Sequence, residues 1–174
     1  LPTASSADRT TDYARAVLSV VEPSGFALLL EPGRSIVGPA GVLLTRVLYL
    51  KPGEAGDFAI VDAAMNDLLR PVLYDADYSA ILASRSSDAA PQLSRVVGKH
   101  CESGDIVVRD VYLPEDVAAG DLLAVPGTGA YCWALSSNYN YLARPGVVAV
   151  RDGSVRLIVR GETEQDLLNR DMGV

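Results

Sequence analysis

Four short polar stretches hold the residues of this chain best suited to chemistry. They are Glu31-Pro32-Gly33-Arg34-Ser35, Asn66-Asp67-Leu68-Leu69-Arg70 with Tyr74, His100-Cys101-Glu102-Ser103-Gly104-Asp105, and Gly127-Thr128-Gly129-Ala130-Tyr131. In the first, Gly33 lets backbone approach a ligand closely. Arg34 adds a forked donor for carboxylate or phosphate. The stretch reads equally as an ordinary strand-to-helix turn, because Pro-Gly turns are common. Arg70 and Tyr74 share a face of a helical turn, where one carboxylate suits both. The bland alternative is a solvated arginine beside a half-buried tyrosine. The third stretch sets a thiol beside a carboxylate. His100 and Cys101 resemble a nucleophile–base pair, but neighbours on a strand point to opposite faces. Cys101 and Glu102 reach one ligand only from a loop or bend, and a buried cysteine is often only a small hydrophobe. Tyr131 follows a glycine loop and offers a hydroxyl to phosphate, or packs in the core. Tyr139 and Tyr141, around Asn138 and Asn140, read equally well as packing residues.

Composition narrows the class of ligand. The chain has 174 residues, 49% of them apolar, which is enough for one domain with a sizeable core. A net charge of −7 argues against a nucleic-acid partner. No apolar run reaches the ~20 residues that span a bilayer, so no membrane partner is expected. Two cysteines make no disulfide framework, and a cytoplasmic location is the simpler reading. One histidine, with no ligand-spaced cluster, gives no metal site. The chain starts at Leu1 without a secretory signal, which fits a processed chain or a fragment.

Periodicity supplies the elements that must position these groups. Ala14, Val17, Leu18 and Val21 predict a helix over 7–21, ended by Pro23 and Gly25. Phe26 to Leu30 reads as a strand buried on both faces. A short helix or turn is expected from Ser35 to Gly41. Strands are expected over 42–50, 57–62, 92–99, 106–111, 121–125, 146–150 and 154–160. A short helical or irregular stretch covers 67–74, and 82–94 reads as a polar loop. Asp152-Gly153 predicts a hairpin, and 161–170 a terminal helix. Many strands with few helices indicate a mainly β barrel or sandwich.

In this order, Glu-Pro-Gly-Arg, Asn-Asp-x-x-Arg-Pro-x-x-Tyr, Cys-Glu-Ser-Gly-Asp and Gly-Ala-Tyr resemble the C-terminal half of the diaminopimelate decarboxylases, fold-type III enzymes that use pyridoxal 5'-phosphate in lysine biosynthesis. The resemblance implies that 1–41 is the end of a (β/α)₈ barrel and 42–174 a C-terminal β-domain. It implies cofactor contacts, chiefly to phosphate, from Glu31, Pro32, Gly33, Arg34 and Tyr131. Substrate carboxylate would meet Arg34, Arg70, Tyr74 and Tyr131. Glu102 would pair with the distal amino group of meso-diaminopimelate, and Cys101 would protonate the carbanion. The family also implies a homodimer, with the cysteine loop donated by the neighbouring subunit. The product would be L-lysine and carbon dioxide. One element departs from the pattern: neither Lys51 nor Lys99 lies in the family's Schiff-base lysine motif. The chain alone is therefore expected to be inactive. Two other readings are a non-catalytic dimerisation or regulatory β-domain, and a fragment of an ornithine- or arginine-type decarboxylase. Glu102, where the ornithine enzymes usually carry aspartate, argues against the ornithine type.

Overall fold

Helix α1, Ser6–Val21, covers the stretch that the apolar spacing predicts. Glu22–Ser24 tightens into a 3-10 turn, and Gly25 ends it at a φ of 69° with its N–H on the Glu22 carbonyl. A left-handed residue at this point is a common helix stop. The computed structural model describes residues 6–173. The chain divides into two units, Leu1–Pro32 and Gly33–Val174, each taken by itself below.

The expected strand at Phe26–Leu30 is absent. These residues join neither sheet, and Phe26 and Leu29 are exposed. A strand buried on both faces exists only where neighbours pair with its backbone on either side. The run therefore keeps its apolar composition without ladder hydrogen bonds.

The second unit opens with helix α2, Gly33–Val37, and a 3-10 turn, Gly38–Ala40. Strand β1, Val42–Lys51, turns inward Thr45 and Val47 while Leu44, Arg46 and Leu48 face out. Strand β2, Asp57–Val61, returns antiparallel to it. The chain then crosses over through helix α3, Arg70–Tyr74, and the two-residue strand β3, Ile81–Leu82. The expected loop from Leu82 thus loses its first residue to β3, because Leu82 pairs with Leu123. Strand β4, Pro91–Val97, lies parallel to β2. Strands β5, Ile106–Pro114, and β6, Leu122–Pro126, complete a sheet of order β3-β6-β1-β2-β4-β5. The end strands β3 and β5 touch, so the sheet is nearly closed, barrel-like and mainly β. Val47, Val61, Leu68, Val96, Leu113 and Leu123 fill its interior.

Two features of this sheet position the site. The β2–β4 connection carries Asn66 to Tyr74, and the β4–β5 turn carries the Cys101 stretch. A separate hairpin of β7, Val147–Arg151, and β8, Ser154–Val159, follows. Asp152 and Gly153 both take positive φ, 50° and 75°, as a two-residue turn of this hand requires. The expected terminal helix shortens to α4, Glu164–Leu168, where Thr163 and Asp166 form a capping box.

Arg85 fastens the crossover to the β5–β6 turn through Asp116 at 2.8 Å and Asp121 at 3.0 Å. That contact, with Ser84, holds the Asp121 carboxyl down at about 2. A lowered carboxylate stabilises the fold above its ordinary range and stops doing so as pH falls through its folded value. Asp121→Asn is expected to cost roughly 1–3 kcal/mol at pH 7. In urea unfolding, the difference from the parent should shrink as pH falls from about 4 to about 2; a pH-independent difference would contradict this account. A second expectation concerns Gly129, where an added Cβ would lie 1.8 Å from the Val37 carbonyl oxygen. Gly129→Ala should therefore lower the melting temperature by several degrees, and unchanged melting would count against this packing.

Candidate functional site

Asp105 is 2% exposed, and its carboxylate accepts two backbone N–H groups. One comes from Met65 at 2.6 Å and the other from His100 at 2.7 Å. The crossover and the β4–β5 turn are thereby tied to one buried anion. The turn closes again through the Asp105 N–H on the Glu102 carbonyl, 3.2 Å. Gly98 is needed beside it, since a Cβ there would lie 2.3 Å from the Asp105 carboxylate. The segment around Cys101 and Glu102 is accordingly a bend, the condition under which both side chains can serve one ligand. Cys101 is exposed on it.

The lone histidine is not the base for that thiol. His100 Nε2 lies 3.0 Å from Asn66 Oδ1, and its Nδ1 lies 3.2 Å from Asn140 Nδ2. Both ring nitrogens are engaged, leaving neither for Cys101. Asn66 is itself 2% exposed and donates to the Ser137 carbonyl at 3.2 Å. Next to it, burial raises the Asp67 carboxyl, offset in part by the Ala64 N–H and by Lys99. Glu102 accepts a 2.8 Å hydrogen bond from the Tyr139 hydroxyl, and that contact pushes the phenol up. Sequence reasoning missed Tyr139 and Asn140 as polar partners. Two asparagines alternating with tyrosines at 138–141 were the available signal.

A second group forms around the glycine loop. The Thr128 N–H donates to the Gly41 carbonyl and the Gly129 N–H to the Gly38 carbonyl, each at 3.0 Å. The loop ahead of Tyr131 thus docks by its backbone on the turn that follows Arg34. Tyr131 itself sits at a φ of 57° and is 53% exposed. A bulky residue in the left-handed region is an outlier that its surroundings must hold. Cys132, by contrast, is buried, with Sγ 3.6 Å from the Tyr78 hydroxyl. Burial, Cys132 and the nearby Arg70 charge all act on that phenol, with the net direction upward.

Arg70 lies over the Tyr74 ring at 5.3 Å, so these two do share a face. Its Nε is buried without a hydrogen-bond partner. A buried donor left unpaired is costly. Glu31 and Pro32 fall in the first unit, and both are exposed. Gly33 and Arg34 fall in the second unit. The structure therefore joins Arg70 with Tyr74, the Arg34 turn with the Tyr131 loop, and Glu102 with His100 through Tyr139. No hydrogen bond links Cys101 or Glu102 to Arg34 or Tyr131 among the described residues. An open cleft of about 430 Å³ lies beside Glu102, lined also by Tyr49, Phe58, Lys51 and Lys99. Both lysines of the chain thus sit on the Glu102 side. No group of three or more His, Cys, Asp or Glu side chains could hold a metal ion among the described residues.

A nearly closed mixed sheet, bearing an exposed carboxylate and an exposed thiol on the β4–β5 bend, defines a small sheet domain. Residues 12–129 match the family described as pyridoxal-dependent decarboxylase, C-terminal sheet domain, and the chain belongs to that family. A diaminopimelate decarboxylase of Actinosynnema pretiosum subsp. auranticum is 54% identical over 145 residues, covering 83% of this chain and 33% of the relative. AQ1208 from Aquifex aeolicus has a similar structure, with a TM-score of 0.84 and 38% identity over 94% of this chain and 40% of that one. Diaminopimelate decarboxylase from Helicobacter pylori, complexed with L-lysine, gives a TM-score of 0.79 and 37% identity over 91% of this chain and 38% of that one. The chain spans about a third of the length of the curated relatives it matches.

The Asp105 junction makes a direct prediction. Asp105→Asn keeps one acceptor oxygen and so leaves one of the two backbone donors unpaired. Stability should fall by roughly 1–3 kcal/mol, and the amide of Met65 or His100 should exchange with solvent much faster. Unchanged exchange at both amides would refute the role given to this carboxylate.

Proposed function

We propose that this chain is the C-terminal part of a diaminopimelate decarboxylase, which converts meso-2,6-diaminopimelate to L-lysine and carbon dioxide with pyridoxal 5'-phosphate. The single observation that carries the reading is the pairing of Arg70 with the exposed Tyr74, the guanidinium lying 5.3 Å over the ring. A guanidinium beside a phenol offers the donors that a carboxylate takes. The cofactor's anionic end is also suited by what is present: the exposed Arg34 guanidinium and the exposed Tyr131 hydroxyl, on segments fastened to each other. Glu31, Pro32 and Gly33 complete the cofactor contacts in this reading, and residues 1–41 form the end of the barrel while 42–174 form the β-domain.

When bound, pyridoxal phosphate supplies the electron sink for loss of carbon dioxide. The chain's own residues do the rest. Arg34, Arg70, Tyr74 and Tyr131 hold substrate carboxylate. Glu102 receives the distal ammonium group. The Cys101 thiol delivers a proton to the carbon that has lost its carboxylate, a task for a positioned acid. The exposed bend around Cys101 fits donation to a neighbouring subunit of a homodimer. Exposed Val148, Val150, Val155 and Leu157 on the terminal hairpin fit burial against other protein surface. No helix is long and apolar enough to cross a membrane among the described residues. Neither Lys51 nor Lys99 is the anchoring lysine, so the isolated chain is inactive.

The test uses the complete gene product, assayed with meso-diaminopimelate and ornithine in parallel. Turnover of diaminopimelate is expected, and Cys101→Ala should lower kcat by about 10²–10⁴-fold. Preference for ornithine would overturn the substrate assignment, and full activity of the cysteine variant would overturn its role. The isolated chain should neither retain pyridoxal phosphate after dialysis nor release carbon dioxide.

A further inference from the structure

We infer that Tyr139, held by His100, is the positioning residue that gives Glu102 its selectivity for a ligand's distal amino group. The inference rests on the role proposed above for Glu102 and extends it to Tyr139, which lies outside the four polar stretches.

The geometry is a relay of defined contacts. The Tyr139 hydroxyl donates to Glu102 Oε2 at 2.8 Å. This bond occupies one carboxylate oxygen and leaves Oε1 for a ligand. A carboxylate on an exposed bend otherwise samples several rotamers, and fixing it removes part of the entropy cost of binding. The Tyr139 ring is in turn set by His100, with centroids 5.1 Å apart and planes tilted by 57°. The imidazole has little freedom of its own. Asn66 Nδ2 donates to Ser137, which leaves Oδ1 as the acceptor facing His100 Nε2. Nε2 therefore carries the proton, and Nδ1 accepts from Asn140 Nδ2. Asn140 stands at a φ of 54° beside Tyr139, so the local backbone is also constrained. The Asn66 backbone carbonyl fastens the same segment through the Ser137 N–H at 3.0 Å.

Three elements therefore converge on one carboxylate: the crossover through Asn66, the β4–β5 bend through His100, and the 137–141 segment through Tyr139. A fold needs no such convergence on an exposed glutamate, since surface hydrogen bonds of this kind contribute little to stability. Its consequence is orientation. Phe at 139 keeps the ring and removes only the hydroxyl. Ala at 100 removes the support of the ring.

The test uses the complete gene product and two competitive inhibitors, L-lysine and 6-aminohexanoate, which differ only in the α-amino group. Loss of carbon dioxide turns the reacting carbon into lysine Cε, so the α-amino group is the distal one. The readout is the ratio of their inhibition constants. Glu102→Gln should reduce discrimination for lysine to near unity. Tyr139→Phe should reduce it about tenfold, with kcat for meso-diaminopimelate within threefold of the parent, and His100→Ala should act in the same direction. A merely structural role would weaken both inhibitors together and leave the ratio unchanged. Loss of discrimination in Glu102→Gln with full discrimination in Tyr139→Phe would overturn the positioning role alone. Full discrimination in Glu102→Gln would overturn the role of Glu102, and the inference with it.

Discussion

The Asp105 carboxylate is the contact on which the arrangement of this domain depends. It is nearly inaccessible to water, yet it faces the two backbone N–H groups that start the site segments. A buried anion is tolerated only when hydrogen bonds replace its hydration. Here those bonds come from Met65 and His100, so meeting the demand of one charge sets the crossover against the β4–β5 bend. The parallel β2–β4 pairing makes this possible. A parallel neighbour requires a long connection rather than a tight turn, and that connection has room for Asn66, Arg70 and Tyr74.

The same logic explains why the site falls into parts. Arg70 with Tyr74, and the Arg34 turn with the Tyr131 loop, supply cationic and hydroxyl donors. Glu102, Tyr139 and His100 form a second set, of opposite charge. In the function proposed, a diamino diacid would use both, because it presents carboxylates and ammonium groups at separate points. The segment from Gly127 to Tyr141 touches each set. It docks on the turn after Arg34 at one end and reaches Glu102 at the other.

Much of this was legible in the residues. Alternation and turn chemistry located most of the strands, and the Asp152-Gly153 hairpin formed with the positive φ values its sequence demands. The spacing of Arg70 and Tyr74 correctly put them on one face. What stayed hidden depends on tertiary context. Phe26 to Leu30 has strand composition, but pairing partners decide whether a strand exists. Leu82 reads as loop until Leu123 lies opposite it. Tyr139 carries no local mark that distinguishes a packing ring from a hydroxyl aimed at a carboxylate. Only the approach of two segments 37 positions apart reveals that contact.

We propose that this chain presents Glu102 to the distal amino group of a diamino acid. A crystal structure of the complete gene product with L-lysine bound measures it most directly. The Glu102 carboxylate should lie within ~3 Å of the lysine α-amino nitrogen, which is the distal amino group once the reacting carbon has become Cε, with Tyr139 still on its other oxygen. A lysine α-amino group bound by other residues, with Glu102 turned to solvent, would overturn this assignment.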